Sequence, residues 1–167
     1  MKNIFFICCL LLTLSFQSCG LYSFTGADTG EAETFQVNFF QNNADLVEPG
    51  IDRTFTNALQ DLIQNQTNLS LVNENGNLVF DGEIIQYYIA PMSSTAQNTA
   101  AQNRLTITVQ VLFFNTLEPE KDFDRRFSFY YDYPAQDQLI GSNLETALDV
   151  IFTRITQDIF NAALTDW

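Results

Sequence analysis

The sequence predicts a two-layer α+β fold, in which a mainly antiparallel sheet of four to five strands carries two helices on one face. Three observations predict it: segments in which apolar and polar side chains alternate, two apolar stripes at helical spacing, and the order strand, helix, several strands, helix. Helices and sheets that are apolar on one side bury that side against each other, so these elements imply two packed layers.

The strands are predicted from the alternation of apolar and polar side chains. The segments that alternate are residues 34–40, 69–73, 78–91, 104–115 and 123–132. In the first of them, Phe35, Val37 and Phe39 are expected to share the buried side. The last two are joined by a loop of about seven residues, which predicts an antiparallel pair.

The turns are predicted from local residue chemistry. Asn75 and Gly76 can adopt positive φ between two apolar runs, which predicts a hairpin. Gly82 lies inside a strand pattern and is expected to mark a bulge. Residues 93–103 have small polar side chains and are predicted to form a mobile loop.

Two helices are predicted from apolar residues that recur every three or four positions. The first begins at Pro49, whose fixed φ suits the first turn, and ends near residues 65–68. Its apolar stripe is Ile51, Phe55, Ala58, Leu59, Leu62 and Ile63. The second begins where Ser142 or Asn143 can cap it. Its stripe is Leu144, Leu148, Ile151, Phe152, Ile155, Ile159, Phe160 and Ala163.

Charge and residue types exclude several classes of function. The 167 residues include 7 Lys+Arg against 20 Asp+Glu, a net charge of -13, which argues against nucleic-acid binding. There is no His, the commonest general base and metal ligand near neutral pH. Asp122 and Asp124 share a strand face, as catalytic carboxylates could, but a charge cluster beside a loop is usually solvated. We therefore expect no enzymatic activity, no metal and no cofactor.

Residues 1–18 are predicted to be a signal peptide. Lys2 provides a positive charge, and the apolar run over 4–14 is too short, at about 1.5 Å per residue, to span a bilayer core of about 30 Å. The signal peptide ends in a segment that resembles the lipobox of bacterial lipoproteins, Phe16-Gln17-Ser18-Cys19-Gly20.

The lipobox resemblance implies that Cys19 becomes the first residue of the mature protein and carries a covalent lipid. Residues 19–32 are then a lipidated tether, and residues 33–167 are a single α+β domain. Gly20, in place of the Asp that retains some lipoproteins in the inner membrane, favours the periplasmic side of the outer membrane. An ordinary signal peptide whose cleavage falls near a cysteine is the alternative.

Several segments of the mature chain carry a family resemblance. They are residues 19–26, 39–44, 54–59, 65–69, 103–109 and 158–163. In order and content they resemble the Bacteroidetes branch of the LptE family of lipopolysaccharide-assembly lipoproteins. The resemblance implies a small sheet with two helices on one face. It also implies a lipoprotein that plugs the outer-membrane β-barrel LptD and helps it deliver lipopolysaccharide to the outer leaflet. A lipid-anchored binding or scaffold module of another outer-membrane assembly complex is the alternative.

One strand offers candidate contacts to such a barrel. Thr106, Thr108 and Gln110 lie on its polar side, and the interior walls of membrane barrels are polar. We therefore expect these three residues to face the partner.

Lipopolysaccharide is anionic, so a direct binding site should present Arg or Lys to its phosphates. Arg104 begins one long strand, and Arg125 and Arg126 lie on its neighbour, so the three could approach each other and contact lipopolysaccharide. Charge pairing of these arginines with Asp122 and Asp124 along the strand edge is the alternative.

Overall fold

The computed structural model describes residues 27–46, 48–92 and 101–165. The strands are β1 (Thr34–Val37), β2 (Gln41–Asn42), β3 (Ser70–Leu71), β4 (Leu78–Met92), β5 (Gln102–Asn115) and β6 (Phe123–Pro134). The helices are α1 (Ile51–Gln66), α2 (Ser142–Leu164) and a short 3₁₀ helix, Pro119–Lys121. The predicted signal peptide, Cys19 and most of the loop predicted over 93–103 lie outside the described residues.

The strands form one mixed sheet in the order β3-β1-β4-β5-β6, with β2 also paired to β4. β1 is parallel to both of its neighbours, and β2 is parallel to β4. β5 is antiparallel to both β4 and β6, which confirms the predicted pairing of the last two strands. The two-layer α+β fold is confirmed, but the described residues form a mixed sheet of six strands, so it is larger than predicted.

The first predicted strand is split in two because the chain turns inward at Phe40. Phe35 and Val37 are buried as predicted, but Phe39 is 53% exposed and Phe40 is fully buried in its place. The alternation of inward and outward side chains therefore shifts by one residue between β1 and β2.

Gly82 of β4 makes room for this inward turn. A Cβ at Gly82 would lie 2.7 Å from the ring of Phe40 and 2.1 Å from the carbonyl oxygen of Gln110 in β5. The bulge predicted at Gly82 is wrong, since the register of β4 against β5 shifts between Ile84 and Gln86. The glycine is needed for close approach of a ring and a neighbouring backbone.

The hairpin predicted at Asn75 and Gly76 is wrong because β1 lies between the two strands that it was expected to join. Asn75 does adopt a positive φ of 57°. The connection then packs on β1: a Cβ on Gly76 would lie 2.8 Å from the backbone nitrogen of Gln36. Asn77 Oδ1 accepts hydrogen bonds from the backbone nitrogen and the hydroxyl of Thr34, at 3.1 and 2.9 Å.

Both helices turn their predicted stripes toward the sheet. The stripe residues are buried or partly buried in one core cluster. α1 begins two residues after Pro49, and α2 begins after Gly141 without a side-chain cap from Ser142 or Asn143. Neither α1 nor α2, nor any other helix in the described ranges, combines the length and the hydrophobicity that a membrane-spanning helix needs.

Aromatic rings join the two layers. The ring of Phe55 in α1 lies 5.1 Å from that of Phe40 and 5.2 Å from that of Phe152 in α2, both edge to face. Such pairs add about 0.5–1.5 kcal/mol to the stabilisation from burial. α1 packs near β1, β2 and β3, whereas α2 packs on β5 and β6. One side of the sheet is thereby occupied by helices.

Candidate functional site

The other side of β4, β5 and β6 carries mostly polar side chains, which alternate with the core residues. We call this side the outer face. Its polar and tyrosine members are Asp81, Glu83, Gln86, Tyr88, Arg104, Thr106, Thr108, Gln110, Asp124, Arg126, Ser128, Tyr130 and Asp132. The register also places four apolar residues there, Val79, Ala90, Leu112 and Phe114, of which Phe114 is 43% exposed. The intervening residues Leu105, Ile107 and Val109 of β5 are fully buried. The period of two in the strands is what separates the two sets.

Thr106, Thr108 and Gln110 share the outer face, as the alternation predicted. The Thr108 hydroxyl lies 2.9 Å from Gln86 Oε1 and 3.0 Å from Ser128 Oγ, and Thr108 is only 8% exposed. Thr106 and Gln110 are partly exposed and accessible. That these residues face a partner stays a prediction.

Two tyrosines on the same face did not emerge from the sequence as site residues. Tyr88 and Tyr130 pair across the sheet with Thr106 between them, and they are 55% and 44% exposed. The strand register could have revealed them, because residues paired across antiparallel strands lie on one face. Together they place aromatic surface beside the polar side chains of this face.

Arg104 and Asp132 form a bidentate ion pair on this face. Arg104 Nε and Nη2 donate to the two Asp132 oxygens at 2.6 and 2.8 Å. The guanidinium also lies 3.6 Å from the centroid of the Tyr130 ring. The hydrogen bonds from Arg104 lower the pKa of Asp132, and the same contact raises the pKa of Arg104.

The three candidate arginines do not come together. Arg126 Nε donates to Gln110 Oε1 at 2.9 Å, and Gln110 lies six residues from Arg104 along β5, or about 20 Å. Arg125 points to the opposite side of the sheet, where its guanidinium lies 5.1 Å from the Phe123 ring. The expectation that they approach each other is wrong, because adjacent strand residues face opposite ways. Their contact with lipopolysaccharide stays a prediction.

The acidic partners also differ from the expected ones. Asp122 Oδ1 accepts a hydrogen bond from the backbone nitrogen of Asn115 at 2.7 Å, and Asp124 accepts one from the Gln110 side chain. Neither acid forms an ion pair with Arg104, Arg125 or Arg126 in the part of the chain that the structure describes. The Asp122 carboxylate therefore stabilises the connection between β5 and β6, and the Asp124 carboxylate stabilises the pairing of these two strands.

Asp132→Asn is expected to lower stability slightly at neutral pH and to lose that effect in acid. Because the folded pKa of Asp132 is depressed, its stabilisation is present above the unfolded pKa of about 3.9 and is lost as pH falls through the folded pKa. Thermal melts of both proteins from pH 7 to pH 2 would measure this. The effect is small because the pair is about one-third exposed, with 29% and 31% of its side chains accessible.

Asp158→Asn is the matched control, since Asp158 pairs with Arg154 through one 3.2 Å contact on the surface of α2. We expect it to change stability less than Asp132→Asn at neutral pH. An Asp132→Asn deficit that persists undiminished at pH 2 contradicts the ion-pair interpretation.

A cleft of about 500 Å³ lies where the described chain begins. The backbone nitrogen of Asp28 donates to the carbonyl of Leu164, at the end of α2, at 2.6 Å. Lys121 Nζ lies 3.7 Å from an oxygen of Asp28 and 3.1 Å from one of Glu118. The predicted tether thus enters the domain beside the end of α2.

Across residues 27–46, 48–92 and 101–165, no group of three His, Cys, Asp or Glu side chains is placed to hold a metal ion.

Comparison with known proteins identifies a family. Residues 32–163 match the family model LptE, described as lipopolysaccharide-assembly. No curated protein matches the chain significantly in sequence.

Several solved structures share the fold at low sequence identity. Lipoprotein B from Nitrosomonas europaea is 13% identical, with a TM-score of 0.53 over 86% of this chain and 88% of that one. A hypothetical protein from Chlamydia trachomatis is 10% identical, with a TM-score of 0.51 over 79% and 98%. PelC from Paraburkholderia phytofirmans, a dodecamer, is 6% identical, with a TM-score of 0.50 over 84% and 94%.

Proposed function

Because this chain belongs to the LptE family of lipopolysaccharide-assembly proteins, we propose that it plugs an LptD-type outer-membrane β-barrel and helps deliver lipopolysaccharide to the outer leaflet. The family match carries this proposal, since it extends over 32–163 and so includes every described strand, the whole of α1 and all of α2 but its last residue. It confirms the family resemblance and a role in lipopolysaccharide assembly. The Bacteroidetes branch stays a prediction.

The outer face supports the plug. Its central row, Gln86, Thr108 and Ser128, consists of uncharged polar groups that contact one another. A barrel lumen is lined by polar side chains and water, and a face of hydroxyls and amides can exchange hydrogen bonds with both. An apolar face would lose that exchange. The face without helices is therefore the one that we assign to the barrel.

The proposed tether supports the same role. A lipid on Cys19 keeps the domain at the membrane that holds the barrel, so that binding takes place at high effective concentration. Two or more acyl chains give stable anchoring, whereas a single chain gives only marginal binding. We place the protein on the periplasmic side of the outer membrane because Gly20 stands where an Asp retains some lipoproteins in the inner membrane.

We propose a role without catalysis and without any cofactor other than the covalent lipid. The two carboxylates that best resembled a catalytic pair, Asp122 and Asp124, are engaged by Asn115 and Gln110. A plug acts by contact, and its requirements are shape, polarity and position.

Purification of the tagged full-length chain from its native membranes tests the proposal. We expect a large outer-membrane β-barrel of the LptD type to co-purify. A photo-crosslinking residue at Thr106 on the outer face should capture the barrel, whereas one at Val150, 40% exposed on α2, should capture much less. Co-purification of a different envelope complex in place of the barrel would support the scaffold alternative.

A further inference from the structure

β4 is paired on both sides only over its first half. β5 pairs with it along its whole length to Met92, whereas β1 pairs only as far as Phe80 and β2 only as far as Ile84. On the side of β1 and β2, no described strand pairs with Ile85–Met92, which we call the open edge. An unpaired edge presents backbone N–H and C=O groups that can pair with another chain.

The two long edges of the sheet differ in charge. The exposed edge strand β6 carries Asp124, Arg125, Arg126 and Asp132, and charges of this kind oppose pairing with a further strand. The open edge has no charged residue in its eight positions. A register shift at its start and Pro91 near its end leave residues 86–90 for pairing, which is a typical strand length. The charged residues of β6 thus oppose pairing with a further strand, whereas the centre of the open edge has no such charges.

Exposed apolar side chains lie on the open edge and beside it. Leu46 is 52% exposed, and Ile89 and Met92 are each 37% exposed. Leu46 and Ile89 line a groove of about 260 Å³ beside β4. Exposed apolar groups in such an arrangement are typical of interaction sites.

The charges beside the groove indicate its occupant. Asp45 and Tyr87 both line it. Burial of Tyr87 and the negative charge of nearby Glu48 together raise the pKa of Tyr87 to about 12. Among the described residues that line the groove there is no Lys or Arg. A second copy of this chain would bring acids toward acids, whereas a segment with Lys or Arg beside an uncharged stretch complements them.

We propose that the open edge pairs with an extended segment of the partner protein, which adds a strand beside β4 and places basic side chains near Asp45 and Glu48. This inference rests on the proposed function, since it names a contact with the same barrel partner. Main-chain hydrogen bonds would supply affinity, and the groove at Leu46 and Ile89 would supply specificity.

The test compares two double variants of the tagged full-length chain in the membrane pull-down. Leu46→Lys with Ile89→Lys adds positive charge at the open edge, at side chains that lie off the outer face. Leu117→Lys with Val150→Lys adds the same charge at side chains that are 46% and 40% exposed elsewhere. We expect the edge variant to recover the barrel at least about tenfold less efficiently and the control to change by less than about twofold. Matching thermal melts would show that both variants fold.

Hydrogen exchange on the purified complex adds a readout that is specific to strand pairing. We expect alternate backbone amides in residues 86–90 to exchange at least about tenfold more slowly with the barrel bound, and the amides of β6 to be unchanged. The inference is overturned if the edge variant recovers as much barrel as the parent, or if hydrogen exchange at 86–90 does not change. In either case a crosslink from Thr106 to the barrel would still support the proposed plug. If the parent recovers no barrel, the proposed function fails and the inference fails with it. Crosslinks from Leu46 to a second copy of this chain would also overturn it.

Discussion

Phe152→Asp is expected to abolish folding of the domain. Phe152 is 2% exposed, and its ring lies 5.2 Å from that of Phe55, which in turn contacts Phe40. Loss of a buried Phe side chain costs about 3–5 kcal/mol, and an unpaired buried carboxylate adds several kcal/mol. Together these costs approach or exceed the total stability of about 5–15 kcal/mol that is typical of a domain. Circular dichroism and thermal unfolding of the purified variant would measure the loss.

Thr153→Asp is the matched control, because it places the same carboxylate one residue further on, at an exposed position of α2. We expect it to change stability by no more than about 0.5 kcal/mol. A Phe152→Asp protein that melts cooperatively at the parent temperature would contradict the assignment of this helix face to the core.

Cys19→Ala is expected to release the protein from the membrane. Cys19 lies outside the described residues, so this prediction rests on the lipobox resemblance. Each buried CH₂ of an acyl chain contributes about 0.8 kcal/mol, so removal of the lipid removes the main anchoring free energy. A lipoprotein signal peptide is not cleaved without its cysteine. For this experiment, residues 1–18 of the variant are therefore replaced by an ordinary secretory signal peptide that is cleaved without lipidation. Membrane fractionation would then find it in the soluble fraction with an unchanged thermal melt.

Cys9→Ala provides the control, because Cys9 lies in the predicted signal peptide and leaves with it. That variant should remain in the membrane fraction. A cleaved Cys19→Ala protein that fractionates with membranes like the parent, or a free thiol at Cys19 in the mass spectrum of the parent, would contradict lipid anchoring.

Elements with strong local periodicity could be predicted from the sequence. The stripes of α1 and α2 and the long alternation in β5 and β6 record burial directly, because each helix or strand turns one side to the core. The two-layer fold follows from those elements.

Strand order could not be predicted in the same way. Of the predicted turn residues Asn75 and Gly76, only Asn75 adopts a positive φ, and β1 inserts between β3 and β4. That insertion depends on long-range contacts, such as those of Asn77 with Thr34 and of Gly76 with Gln36. Local turn chemistry does not encode which distant strand arrives beside it.

The candidate site was predictable in part for the same reason. The alternation of side chains along β5 predicted that Thr106, Thr108 and Gln110 share one face. The partners of Arg104 and Arg126, however, depend on the register between β5 and β6. A single sequence fixes no register between strands. Tyr88 and Tyr130 were missed because only the register aligns them across the sheet.

The contact between Asp28 and Leu164 has a practical consequence for handling the protein. It brings the two ends of the described chain to one pole of the molecule, whereas β4 reaches Met92 at the other pole, about 40 Å away along the strands. Asp28 lies nine residues after Cys19, and a chain of that length spans at most about 30 Å. A fluorophore attached beside Leu164 would therefore report on the proximity of the domain to labelled phospholipid.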